Sequence, residues 1–272
     1  MPVSAGRAGE VEWRRRTPRE DLLRWFCWFL FLAVLVFAWR VMTQDTIWSF
    51  VADAPKQAAD IGVRMVPPRW SYMANLWWPL WDTLNIATLG TLAAIVLAVP
   101  IAFLAARNTT PSVTFVRPVA LLIIVSSRSI NALIWGLLLV TIVGPGVLAG
   151  IIAIALRSIG FIAKLLYEAI EEIDRAQVEA VTATGAAPAQ VMDYAIVPQI
   201  LPAFAGISVF RWDINIRESS VVGLVGAGGI GLQLEASLNI LAWPQVSLIL
   251  LVILATVLLS EFVSAKVRHA II

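Results

Sequence analysis

Six times between residues 22 and 265 the chain runs apolar for about twenty residues. Each run is long enough, at about 1.5 Å of helix per residue, to cross the ~30 Å hydrocarbon layer of a bilayer. The runs fall at 22–42, 82–106, 118–143, 147–167, 196–214 and 240–265. With 60% of its 272 residues hydrophobic and 14% charged, the chain has too little polar material to cover a water-facing surface. In lipid the backbone must satisfy its own hydrogen bonds, and long apolar runs do so as helices. The expected fold is therefore an all-α integral membrane protein with about six transmembrane helices.

The same residues exclude several functions. The net charge is +2, so no nucleic-acid footprint is indicated. One cysteine, Cys27, and one histidine, His269, leave no disulfide framework and no Cys/His metal site. No glycine precedes a lysine anywhere, so there is no phosphate-cradling G-x-x-x-x-G-K-[ST] loop. H-E-x-x-H and G-x-S-x-G are also absent. No catalytic residue, metal or cofactor is expected, and an enzyme has nothing to build on.

Residues 1–21 are polar and carry Arg14, Arg15, Arg16 and Arg19 just ahead of the first run. A cleaved signal peptide is the competing reading, with Ala52-Asp53-Ala54 as its small-residue site. That run is too long for such a segment and the site lies too far beyond it, so 22–42 reads as an uncleaved first span. Residues 43–81 hold Trp48, Trp70, Trp77, Trp78 and Trp81, as befits an extracytoplasmic or interfacial segment, part of it a helix lying in the headgroup plane. Stacking of a substrate on these rings is the less favoured alternative. With the N-terminus in the cytoplasm, and Arg24, Arg40 and Lys164 near the span ends counted with the segments they adjoin, twelve Lys/Arg fall on the cytoplasmic side, five outside, and Arg128, Arg157 and Arg211 within spans. The positive-inside rule therefore selects N-in, C-in, with residues 168–195 cytoplasmic.

Arg128 and Arg157 each sit about ten residues into their spans, in the repeated tripeptide Arg-Ser-Ile, with Asn131 close to the first. A guanidinium near the midplane costs at least about 2.5–3.5 kcal/mol unless it faces a cavity or a partner. Two readings stay open: a polar translocation path favourable to an anion, or structural arginines bonded to carbonyls or to a buried acid such as Glu218. Arg211, Asp213, Asn215, Arg217 and Glu218 make a second polar cluster, a candidate gate or receptor-facing surface unless its charges simply cancel. Gly226, Gly228, Gly229 and Gly231 lie in a G-x-G-x-x-G pattern. Without a strand before it and an acid some twenty residues on, the pattern is no dinucleotide fingerprint. The glycines suit a broken backbone beside a cavity, or close helix packing.

Between the fourth and fifth runs lies EAIEEIDRAQVEAVTATGAAPAQVMDYAIVPQILP, residues 168–202. Residues 168–183 lack Gly and Pro and suit one helix, Gly185 supplies a stop, and Pro188 fits the start of a second short helix. A solvated acidic connection is the plainer reading. Glu179-Ala180-Val181, Gly185 and Val197-Pro198 resemble the cytoplasmic EAA loop of ABC-importer permeases, with Val181 in place of the second Ala and Ala195 where Ile is usual. Together with INIRESSVVGLVGAGGIGLQL, residues 214–234, the chain resembles the permease subunit of phosphonate-type ABC importers over roughly residues 80–268.

The resemblance implies a MetI-like permease core, here 82–268, in a bacterial cytoplasmic (inner) membrane. It implies a homodimer with two ABC ATPase subunits and an extracytoplasmic solute-binding protein. Carried over, Glu179, Ala180, Gly185 and Pro198 are ATPase-coupling residues. Arg128, Asn131, Arg157, Asn215, Arg217 and Glu218 are substrate-pathway candidates, and the four glycines gate candidates. The implied cargo is phosphonate or a related phosphorus oxyanion such as phosphate or phosphite. Alternatives are a permease for another small solute such as an amino acid, or a non-transport scaffold or enzyme.

Overall fold

The computed structural model describes residues 3–5, 11–13 and 18–271. Arg14, Arg15 and Arg16, assigned above to a cytoplasmic segment, lie outside the described residues. The chain divides into two units, Met1–Asp60 and Ile61–Ile272. In the first, β1 (Val3–Ala5) and β2 (Val11–Trp13) pair antiparallel with Ser4 opposite Glu12. No strand is expected from the polar composition there; Val3, Val11 and Trp13 are strand-favouring residue types. Helix α1 (Pro18–Thr43) covers the predicted first span. Its Leu, Phe and Trp side chains stand exposed, as in a helix that is apolar all round and meets lipid. In α2 (Trp48–Met65), Ser49, Asp53, Lys56, Gln57, Asp60 and Arg64 recur at helical spacing, which makes one polar stripe on an otherwise apolar helix.

The second unit continues through a 3-10 turn, Trp70–Tyr72, into α3 (Met73–Ala105). There follow α4 (Val116–Ser129), α5 (Ala132–Val143), α6 (Val147–Glu171), α7 (Arg175–Ala183) and α8 (Pro188–Val191). A π-helical turn, Met192–Ile196, leads into α9 (Val197–Val222). After a 3-10 turn, Gly223–Val225, come α10 (Gly229–Asn239) and α11 (Trp243–Ile271). Among the described residues five helices are long and apolar enough to cross a membrane, or six if α4 and α5 count together as one broken span.

Three boundaries differ from those read in sequence. Helix α3 begins at Met73 instead of 82, so Trp77, Trp78 and Trp81 stand exposed on its first turns. At about 50 Å by rise per residue it outruns the hydrocarbon, which leaves those rings at a boundary. The third span is not one helix: α4 and α5 meet at 89°. Neither Gly nor Pro marks the break; Ile130 turns extended and the Asn131 side chain starts a new helix by accepting from Leu133 N at 3.2 Å. The single helix expected over 168–183 is two. Helix α6 stops at Glu171, and Asp174 caps α7 by accepting from Ala176 N at 2.9 Å.

Small residues draw the spans together. On α3 the buried positions Ala87, Gly90, Thr91, Ala94, Ala98, Ala102 and Ala105 recur every three or four residues, a flat stripe against which α6 lies. A Cβ on Gly90 would fall 2.8 Å from Ile154 Cγ2. One apolar cluster gathers Ala94, Ala98, Ala102, Ile124, Ile162, Leu166 and Ile196. A second gathers Ile86, Ala132, Ala153, Ile154, Val222 and Ala227. Along α3 and α6 the residues between the two clusters include Thr91, Arg157 and Ser158.

Helix α4 is wedged onto α6 by a hydroxyl. Ser127 Oγ donates to Leu156 O and accepts from Gly160 N at 2.9 Å, so one rung of the α6 ladder is bridged by a foreign side chain. That approach needs Gly160: a Cβ there would fall 2.5 Å from Ile124 O. Gly160→Ala should therefore cost on the order of 1–3 kcal/mol, read as a lower thermal midpoint of the detergent-solubilised protein. Gly206→Ala, which meets nothing within 4 Å, should leave the midpoint in place. Equal tolerance of the two would contradict the close α4–α6 packing.

Candidate translocation and coupling sites

Of the first polar cluster seen in sequence, Arg157 joins the second in one network. Arg157 of α6 pairs with Glu218 of α9. The other Glu218 oxygen accepts from Arg211 Nη2 at 3.0 Å, so one carboxylate is shared by two guanidinium groups. Arg211 is 2% exposed. It is fixed further by Nε donating to Ser158 Oγ at 2.9 Å and by the Phe161 ring 5.0 Å below its guanidinium carbon. Asn215, fully buried, donates to Thr91 Oγ1 at 2.7 Å and to Ser158 Oγ at 3.0 Å, tying α9 to α3 and α6. On the neighbouring face, Asp213 accepts from Arg217 at 3.0 Å and from Ser260 of α11 at 2.7 Å. Thr91, Ser127, Ser158 and Ser260 are members that the sequence reading missed. The available signal was a hydroxyl inside an apolar run, next in sequence to an arginine for Ser127 and Ser158.

The pathway candidates thus divide. Arg157, Asn215 and Glu218 belong to the network, and Arg217 pairs with Asp213 beside it. Asn131 caps α5 at the break. Arg128 is exposed and has neither a hydrogen bond nor an ion pair among the described residues. Ser127 bonds to Leu156, so the arginines that follow each of them in sequence are brought close. Arg128 Cγ lies 2.8 Å from where a Cβ on Gly160 would stand, one turn along α6 from Arg157.

The four gate-candidate glycines sit at the other end of α9. Gly226, Gly228 and Gly229 all have positive φ, between 73° and 89°, a region closed to most side chains. Gly226 O accepts from Gly146 N at 3.0 Å, and a Cβ on Gly231 would meet Gly223 Cα at 2.8 Å. Thr83 of α3 accepts from Ile230 N at 2.8 Å. The arrangement is backbone packed on backbone, with no strand before it.

The coupling candidates lie on α7 and the segment that follows. Ile173, Val178 and Met192 pack against the first apolar cluster, while Glu179 and Ala180 are exposed. Gly185 ends the turn with φ +82° and open space around it. Pro188 opens α8, where Gln190 Oε1 accepts from Ala187 N at 2.9 Å. Pro198 occupies the exposed first turn of α9. Gln199 Oε1 accepts from Asp174 N at 2.9 Å and so clasps the start of α7 to α9. At the base of α6, Glu171 accepts from Arg107 N at 2.9 Å and pairs with Arg117 at 3.4 Å.

Residues 98–269 match the family model described as "Binding-protein-dependent transport system inner membrane component", and the chain belongs to that family. It is a multi-pass inner-membrane permease of an ABC importer, a transport subunit and not an enzyme. As such it works with an ATPase and a solute-binding protein. A Stutzerimonas stutzeri protein named phosphite transport system permease protein PtxC is 42% identical over 88% of this chain and 86% of its own length. The phosphate-import permease protein PhnE of Mycolicibacterium smegmatis is 38% identical over 88% of this chain; the match spans 44% of that longer protein. Among solved structures, an inward-facing methionine transporter MetNI superposes with a TM-score of 0.64 over 75% of this chain and 99% of that one. At 23% identity it shows the fold alone.

Glu218→Gln leaves Arg211, almost wholly buried, without its counter-charge and facing Arg157. Breaking a buried pair in this way costs on the order of 3–5 kcal/mol. The expected result is a clear fall in thermal midpoint, largely recovered when Arg211→Met is added. A midpoint unchanged by Glu218→Gln alone would mean that the carboxylate does not hold the network.

Proposed function

We propose that this chain forms the translocation pathway for a phosphorus oxyanion (phosphonate, phosphate or phosphite) and is driven through the segment containing Glu179, Ala180, Gly185 and Pro198. The observation that carries the reading is the 42% identity over 88% of the chain to a permease named for phosphite. The mid-span arginines agree with it, since a cationic lining suits an anion and rejects a cation. A D-methionine permease of Vibrio cholerae is 30% identical, but over 32% of the chain, so an amino-acid cargo has the weaker support.

In this reading two copies of the chain enclose the path, with both termini and residues 168–195 in the cytoplasm. The charge asymmetry of the loops supports that orientation, and the exposed apolar surfaces of the spans supply area for lipid and for a second copy. Helix α7 has one side rooted in the apolar core and one side of small and acidic residues free to meet an ATPase. The open space around Gly185 lets a partner approach the backbone closely.

Uptake of radiolabelled phosphite, phosphate and aminoethylphosphonate into proteoliposomes tests the proposal, with the ATPase and the binding protein supplied. ATP-dependent uptake of at least one of these anions is expected. Gly185→Trp should abolish it, because a bulky side chain would fill the docking space. Gly185→Asn should retain most of it, since Asn tolerates positive φ. Import of methionine and of none of the three anions would overturn the cargo, and full uptake by Gly185→Trp would overturn the coupling role.

A further inference from the structure

We infer that Arg128 and Arg157 form an oxyanion-binding station halfway across the membrane, in which Glu218 acts as a resident stand-in for the cargo. The inference rests on the oxyanion reading above and adds to it a place, a charge and an order of events.

Depth comes first. Arg128 is twelve residues into α4 and Arg157 ten residues into α6. At 1.5 Å per residue these are about 18 Å and 15 Å from the N-terminal ends of their helices, deep in the hydrocarbon for both. A charged group at that depth faces a polar cavity or another charge. Arg157 has Glu218, and Arg211 has Glu218 and Ser158. Of these three arginines Arg128 alone is exposed, with no hydrogen bond or ion pair among the described residues. Nothing among the described residues absorbs its charge, so in this reading the group facing it comes from outside.

Charge comes second. Arg128, Arg157 and Arg211 carry three positive charges against one on Glu218, a formal +2. Asp213 and Arg217 cancel each other. A surplus of two matches a doubly charged phosphorus oxyanion and mismatches a zwitterion. Guanidinium groups suit such an anion because their fork of donors matches tetrahedral oxygens two at a time.

Mobility comes third. Glu218 is bonded on both oxygens, but its two partners are unlike. The Arg211 side chain is 2% exposed, locked to Ser158 and stacked on Phe161. The Arg157 side chain is 29% exposed, and Glu218 is its one ion-pair partner among the described residues. An arriving oxyanion can take over Arg157 with Arg128 while Glu218 stays charged and satisfied on Arg211. When the anion leaves, Glu218 recaptures Arg157. The station therefore holds its cargo without stranding a buried charge when empty, and the returning carboxylate competes for Arg157 and promotes release.

Two measurements on the full reconstituted transporter test this. The first is uptake of radiolabelled phosphite at saturating binding protein by wild type, R128Q, R157Q and R128K, each confirmed to co-elute with its partners. R128Q and R157Q should each fall at least tenfold, and R128K, which keeps the charge and loses the fork, should fall between R128Q and wild type. Wild-type uptake with an unimpaired R128Q overturns the station and leaves the oxyanion reading intact, whereas a wild type that imports no phosphorus oxyanion overturns both. A loss in R128Q that R128K does not relieve also overturns the station, because the charge would not be what matters. The second is the reaction of R128C, in a C27A background, with a charged, membrane-impermeant maleimide presented from both sides of open membranes. Labelling at a rate within tenfold of an exposed loop cysteine supports a water-filled path, and no labelling overturns it.

Discussion

One carboxylate holds the centre of this molecule. Glu218 sits in a span where a lone charge is costly, and it is tolerable because two guanidinium groups close on it from α6 and α9. Around that contact, Ser158, Asn215 and Thr91 extend the bonding to α3. Three of the long spans are thus joined by polar contacts at one level, with apolar clusters of mostly small and branched residues on both sides. Apolar packing alone gives helices in lipid little reason to choose one register over another. The polar layer supplies a register for α3, α6 and α9, and the hydroxyl wedge of Ser127 extends it to α4.

The ends of the spans are organised by other means. Towards the end of α9 the chain uses glycine: three residues at positive φ, Gly226, Gly228 and Gly229, let the backbone press against the loop between α5 and α6 and against Thr83 of α3. Towards its start, α7 is kept in place by Val178 in the core and by Gln199, which bonds to the helix start at Asp174. A force applied at α7 therefore passes directly to α9, the helix that carries Arg211, Asn215 and Glu218. If α7 is the element an ATPase drives, as proposed above, that is a short mechanical route to the polar layer.

Much of this was legible in the chain. The spans follow from the lengths of apolar runs, and the family from the motifs at 179–198 and 214–234. The arginines at 128 and 157 stand out because lipid makes them costly. What sequence hid is long-range or depends on caps. Pairing of a mid-span arginine with Glu218 was one of the two readings open in sequence; nothing local announces that Arg157 and not Arg128 makes it, or that Arg211 shares the carboxylate. The break at Asn131 and the start at Asp174 involve neither Gly nor Pro; each is set by a side-chain oxygen taking over a backbone N–H, which composition registers only weakly. Arg128 and Arg157 look alike in sequence, each in Arg-Ser-Ile, yet one is paired and the other is not.

The claim at the centre of this account is that the polar layer faces the cargo. A structure of the assembled transporter, trapped without ATP hydrolysis in saturating phosphite, tests it most directly. The account predicts a tetrahedral anion within hydrogen-bond reach of Arg128 and Arg157, with Glu218 retained on Arg211. A continuous path that bypasses α4 and α6, with both guanidinium groups covered by protein or turned to lipid, would contradict it.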